Sequence, residues 1–182
     1  MGTGGLFLRK LRARVSDEPT GFVWVESGKL AASGFPASRG QVEWVVKSGI
    51  RSILTLTEDP LPAEFTAGLD LVSFHVRMED HAPPTPDAMK RAVEFVASQV
   101  SAGRPVLVHC LAGEGRTGCV IAGYMIETRG LGPEKAIAVI REIKREFVER
   151  GQERAVREFA ERPDSLGKPA QSGSGSTTDV SA

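Results

Sequence analysis

The sequence predicts an α/β fold, a mostly parallel central sheet flanked by helices on both faces. Short β-branched or apolar runs alternate with longer segments of helical periodicity. The alternation of strand and helix along the chain is the pattern of crossover connections between parallel strands. Helix starts and stops are also marked, by Thr85-Pro86 before one segment and Gly103 after it.

Taken in order, Phe22–Val25 and Lys29–Ala32 read as two short strands around a Ser27-Gly28 turn. Gln41–Ser48 is helical in pattern, and Ser52–Thr57 and Leu69–Val76 are β-branched and apolar runs. Thr85 is a capping residue with proline at the first helical position. The helix it opens puts Met89, Val93, Val96 and Val100 on one face and ends at Gly103. Pro105–His109 is a short buried strand, and helices follow over Thr117–Thr128, Pro133–Arg145 and Gln152–Arg162.

The chain's 182 residues suit one domain, placed at residues 20–162. Residues 1–19 read as an N-terminal extension, with a short basic amphipathic helix over Leu6–Val15. Residues 163–182 are rich in Gly and Ser and nearly free of apolar side chains, so a disordered tail is expected there. Lys plus Arg and Asp plus Glu both count 23, which gives no argument for a nucleic-acid partner. No stretch has the apolar length of a membrane span, and no membrane partner is expected. The N-terminal apolar and basic residues stand in the wrong order for a secretion signal, so a cytoplasmic location and a monomer are expected. Cys110 and Cys119 are the only cysteines, too few for a disulfide framework, and nothing in the sequence calls for a metal or cofactor.

The chemistry concentrates in Val106-Leu107-Val108-His109-Cys110-Leu111-Ala112-Gly113-Glu114-Gly115-Arg116-Thr117-Gly118. An apolar strand runs through a glycine-containing loop into a helix, a turn that presents backbone N–H groups and the helix's positive end to an anion. Gly113 and Gly115 let the loop from Leu111 to Gly115 curl around a phosphate-sized group. Arg116 offers a planar fork of donors for two phosphate oxygens. Cys110 sits where that positive potential favours the nucleophilic thiolate. The lysine and spacing of a Walker-type nucleotide loop are absent, as is the three-glycine dinucleotide fingerprint.

His109-Cys110-x5-Arg116-Thr117-Gly118 resembles the signature loop of the protein tyrosine phosphatase superfamily. The text of the loop is most similar to small atypical dual-specificity phosphatases of the VHZ type and their archaeal relatives. Similarity extends over roughly Thr20 to Arg162, through Phe22-x-Trp24-Val25, Ser48-Gly49-Ile50-Arg51 and Arg129-Gly130-Leu131. The resemblance implies the dual-specificity phosphatase fold and hydrolysis through a phosphocysteine intermediate. It also implies a general-acid aspartate upstream, and Asp80 holds that place, thirty residues before Cys110. Physical argument alone leaves Glu79 open as a competitor, since either carboxylate could protonate a leaving oxygen. By the same resemblance Thr117 places a hydroxyl on the thiolate, with simple helix capping as its alternative. His109 orders the loop, and Glu149 or Gln152 stands over the site, although ordinary helix-surface polarity would also explain Gln152.

The expected substrate is a phosphorylated protein, carrying phosphotyrosine with some phosphoserine or phosphothreonine. Glu114 in the loop disfavours polyphosphorylated inositides. Non-protein phosphate esters (phosphoinositide or RNA 5′-phosphate) and a non-catalytic phosphoprotein-binding domain are the alternatives. Cys119 reads as a buried small residue in the helix after the loop, with a reversible disulfide to Cys110 as the other reading.

Overall fold

The computed structural model describes residues 17–162. The expected helix over Leu6–Val15 and the expected tail at 163–182 lie outside the described residues. Five strands, β1 (Val23–Glu26), β2 (Leu30–Ser33), β3 (Ser52–Thr55), β4 (Val72–His75) and β5 (Val106–His109), form one sheet in the order β1-β2-β5-β3-β4. Only β1 runs antiparallel, paired to β2 with a register shift between Trp24 and Glu26; the other pairings are parallel. The central strand is therefore β5, whose last residue precedes Cys110.

Among the described residues six helices accompany the sheet: α1 (Arg39–Lys47), α2 (Ala63–Thr66), α3 (Pro86–Ser101), α4 (Gly115–Arg129), α5 (Pro133–Ile143) and α6 (Glu153–Ala160). Strand side chains alternate between the two faces, as period two requires. Ala31, Ile53 and Leu107 pack with Val45 and Ile50 on one side, beneath α1. Leu30, Ala32, Leu54, Val106 and Val108 pack on the other with Met89, Val93, Val96 and Ile121. The cap foreseen at Thr85 is made, its hydroxyl accepting from the Ala88 N–H at 3.3 Å. Gly103, at φ +69°, takes the chain out of α3.

α4 is buried from Gly115 through Ile126, the behaviour of a helix apolar all round rather than on one stripe. It packs against α3, α5 and α6 and carries Arg116 at its second position.

The expected elements are present with shifted ends. Strands β3 and β4 are shorter than the apolar runs that announced them; Leu56 and Val76 are buried core residues just past the ladder, donating their N–H groups to His109 and Thr55 carbonyls. α4 begins two residues before Thr117, and α5 stops at Ile143 because Lys144 is extended, at φ −146° and ψ 113°. Nothing in the sequence announces α2, a single turn with no buried residue and hence no apolar stripe.

Candidate active site

The pocket lies at the carboxyl ends of the parallel strands, where α/β sheets place their sites. It encloses about 260 Å³ and is lined by Cys110 and the loop after it, by Asp80 and His81, by Phe35, and by Glu149. Cys110 is nearly buried at its floor, and Arg116 is 1% exposed.

Backbone geometry explains the glycines of the loop. Gly113 sits at φ +71°, and a Cβ there would overlap the Ser33 carbonyl. A Cβ on Gly115 would collide with the Gln152 side-chain oxygen, and one on Gly118 with the Val148 backbone. The loop is tied on one side by Phe35, whose N–H donates to the Leu111 carbonyl at 3.1 Å, and on the other by Lys144 Nζ, which donates to the Gly113 carbonyl at 2.9 Å. The first N–H groups of α4 have no partner inside the helix, and they open on this loop.

Beneath Cys110 the imidazole of His109 is fully buried. Its Nδ1 meets the Cys110 carbonyl at 3.3 Å, and its Nε2 meets Thr55 Oγ1 at 2.9 Å. A carbonyl only accepts, so Nδ1 carries the proton and Nε2 accepts from the Thr55 hydroxyl. Burial lowers the His109 pKa to about 4, with Arg116 acting in the same direction and the Cys110 carbonyl opposing it. The ring is therefore neutral at neutral pH.

Arg116 reaches two carboxylates. Its Nη2 donates to Asp80 Oδ1 at 2.7 Å and its Nη1 to Glu58 Oε2 at 3.2 Å and to the Met78 carbonyl at 3.0 Å. Glu58 also accepts from the Asp80 N–H at 2.8 Å. Its own backbone N–H, that of Asp80 and the guanidinium together lower its pKa, against a smaller opposing effect of burial. Asp80 and Arg116 are thus brought together, whereas Glu79 is not among the residues lining the pocket.

Thr117 is a correction. Its hydroxyl is buried and makes no hydrogen bond among the described residues, so it neither donates to Cys110 nor caps α4. The first turn of α4 starts at Gly115, which carries Thr117 inside the helix rather than to its cap. For Gln152 the helix-surface alternative is excluded, since the residue is 1% exposed. Its Nε2 donates to the Ala82 carbonyl at 3.1 Å. The segment 144–152 folds across the start of α4, where Gly115 and Gly118 leave room for it, and this buries Gln152. Cys119 is buried with Gln152 oxygens 3.8 Å from its sulfur, and burial pushes its thiol pKa well up. No local pattern in the sequence marks Glu58 or Lys144, which reach Arg116 and the Gly113 carbonyl across the fold. Glu58 could have been sought just past the carboxyl end of a parallel strand, but only the strand order places β3 beside β5.

A central strand that ends beside a buried cysteine, a glycine loop and an arginine at the start of a buried helix define a domain of the cysteine-phosphatase class. The chain belongs to the family described as PTP-SAK, Swiss Army Knife protein, DSP-PTPase phosphatase domain, whose model matches residues 19–167. Among curated proteins it is similar to the dual specificity protein phosphatase Mpk3 of Drosophila melanogaster, 36% identical over 107 residues, 56% of this chain and 25% of that protein. It is also similar to the phosphatidylglycerophosphate phosphatase PTPMT1 of Arabidopsis thaliana, 26% identical over 116 residues, 63% of this chain and 34% of that one. The chain thus spans about a third or less of the length of these relatives. Among solved structures, Tk-PTP in its active form superposes with a TM-score of 0.71 at 23% identity, over 78% of this chain and 97% of that one.

Proposed function

We propose that this domain hydrolyses phosphate monoesters of protein side chains, phosphotyrosine first, through a phosphocysteine intermediate. The observation that carries the reading is the meeting of Cys110, Arg116 and Asp80 around one pocket. In the first step the Cys110 thiolate attacks phosphorus, an S–P bond forms and the P–O ester bond breaks. Asp80 gives its proton to the leaving oxygen, without which an alkoxide or phenolate leaves poorly. In the second step Asp80 takes a proton from water, which attacks phosphorus, and the S–P bond breaks to return thiolate and free phosphate.

Arg116 has to change partners in this cycle. In the resting arrangement Nη2 holds Asp80, while the Glu58 and Met78 contacts are made through Nη1. An arriving phosphoryl dianion competes for Nη2, and Asp80 is then released to the ester oxygen. Glu58 remains as an anchor for Arg116 and for the Asp80 backbone. Neutral His109 supports the floor by fixing the Cys110 carbonyl.

Protein phosphoesters are preferred over lipid head groups because Glu114 and Glu149 line the pocket beside Asp80. These two carboxylates disfavour a ligand carrying further phosphates. Leu111, 43% exposed, and Phe35 supply apolar contact for an aryl ring. The dual-specificity name of the Drosophila relative supports the protein reading, and the name of the Arabidopsis relative supplies the lipid alternative.

Hydrolysis of p-nitrophenyl phosphate, phosphotyrosine and phosphoserine peptides, and phosphatidylglycerophosphate tests this. Cys110→Ser is expected to lose more than ~10³-fold in turnover, on the scale of nucleophile removal, and Asp80→Asn roughly 10²-fold or more. Turnover that survives Cys110→Ser would overturn the mechanism, and a lipid substrate used better than any phosphopeptide would overturn the substrate class.

A further inference from the structure

The acid loop is held from two directions. Glu58 accepts from the Asp80 N–H on the sheet side. On the opposite side two residues of the segment 149–152 reach the same loop. Gln152 Nε2 donates to the Ala82 carbonyl at 3.1 Å, and His81 Nδ1 meets Glu149 Oε2 at 2.9 Å. That segment lies against the start of the catalytic helix: a Cβ on Gly115 would meet both Gln152 and Glu149. The loop that carries the acid is thereby fastened to the helix that carries Arg116.

We propose that Gln152 and the His81–Glu149 pair form a clasp that positions Asp80 over the pocket for proton transfer to the leaving oxygen. The inference rests on Asp80 acting as the general acid. Gln152, His81 and Glu149 are positioning residues in it.

Local geometry at His81 fits such a constraint. His81 stands at φ +57°, a left-handed conformation that few residues other than glycine adopt without a tertiary reason. Its N–H donates back to Asp80 Oδ1 at 3.1 Å, so the orientation of the His81 peptide and of the acid carboxylate are linked. The hydrogen bond that His81 donates to Glu149 and the charges of Asp80 and Glu149 raise the His81 pKa above its ordinary value, with burial and Arg116 opposing. The two halves of the clasp differ in strength. His81 is 77% exposed, and an ion pair there is weak; Gln152 is buried, and its bond is the stronger fastening.

Because a proton donor matters most when the leaving group is poor, the clasp predicts a leaving-group signature that a merely structural role would not give. kcat/KM is measured on phenyl phosphate and on p-nitrophenyl phosphate for wild type, Asp80→Asn, Gln152→Met, Glu149→Gln and His81→Ala. Gln152→Met keeps a long side chain in the buried site, and the other two clasp substitutions are at the surface, where folding tolerates them. Relative to p-nitrophenyl phosphate, the rate on phenyl phosphate is expected to fall about tenfold further in Gln152→Met and about threefold further in His81→Ala or Glu149→Gln, the scale of lost hydrogen bonds. His81→Ala combined with Glu149→Gln should cost less than the sum of the two, since the residues share one contact while His81 also faces Asp80 Oδ2 at 3.7 Å. In an Asp80→Asn background the Gln152→Met signature should vanish. Equal losses on both esters, or a signature that persists without Asp80, would overturn the clasp. An inactive wild type, or an Asp80→Asn variant with the wild-type ratio of the two rates, would overturn the acid assignment and the clasp with it, a pattern distinct from failure of the clasp alone.

Discussion

Two segments close on the same pocket by different physical means, the loop 110–116 and the crossing segment 144–152. The loop joins the last residue of the central strand to the first turn of a buried helix, so its floor, Cys110 and the free N–H groups of the helix start arrive together in consecutive residues. The crossing segment has no such internal logic. Phe147 and Val148 are buried in it, Val148 takes φ +60°, and Arg141 pins its carbonyls, with Nε donating to Phe147 at 3.1 Å and Nη2 to Val148 at 2.7 Å. A β-branched residue in that conformation is strained and persists only because its surroundings impose it. The loop is specified by its own sequence, and the segment is specified by what it touches.

Substitutions can break this contrast. Gly113→Ala is expected to have the largest effect, about 4 kcal/mol of lost stability, because both the positive φ and the Ser33 carbonyl oppose a Cβ. Chemical denaturation measures it, and a loss below 1 kcal/mol would mean that the loop is less rigid than its contacts imply. A second effect sharpens the picture of the loop floor. His109, neutral in the fold with its pKa lowered to about 4, can take up a proton near its ordinary 6.5 once unfolded. Stability from this group is therefore fully present above about pH 6.5 and is lost as the pH falls toward 4, by on the order of 3 kcal/mol. Unfolding free energies compared between pH 7 and 5 should show this slope in wild type and not in His109→Gln. The smallest effect belongs to the crossing segment: Arg141→Ala removes donors from two carbonyls and from Glu153 and should cost about 1 kcal/mol. A penalty there as large as that of Gly113→Ala would erase the distinction between the two regions.

The same contrast explains what could be read before any coordinates. The strand-to-helix loop, the Thr85-Pro86 helix start and the alternation of elements are local, and residue order alone carries them. Asp80 was singled out through resemblance and not through physics, since nothing local separates it from Glu79; the structure adds that Asp80 lines the pocket and Glu79 does not. Glu58 and Lys144 were not legible, because each acts across the fold, on Arg116 and on the Gly113 carbonyl respectively. Gln152 was legible as a polar residue but not as a buried one. Its burial depends on Gly115 and Gly118 in another helix leaving room for the segment that carries it. Thr117 shows the opposite error: resemblance supplied a contact that its buried hydroxyl does not make.

The place of β5 between β2 and β3 has a consequence for amide hydrogen exchange. A strand with ladder partners on both sides releases its protons only when the sheet itself opens, so its amides report the global unfolding free energy. The N–H groups of Asp80 and His81 are held by side-chain carboxylates rather than by a ladder, and local opening suffices to exchange them. Exchange should accordingly run in two regimes a few residues from one pocket: slow in Val106–His109, under Cys110, and fast at Asp80 and His81, around the proposed acid.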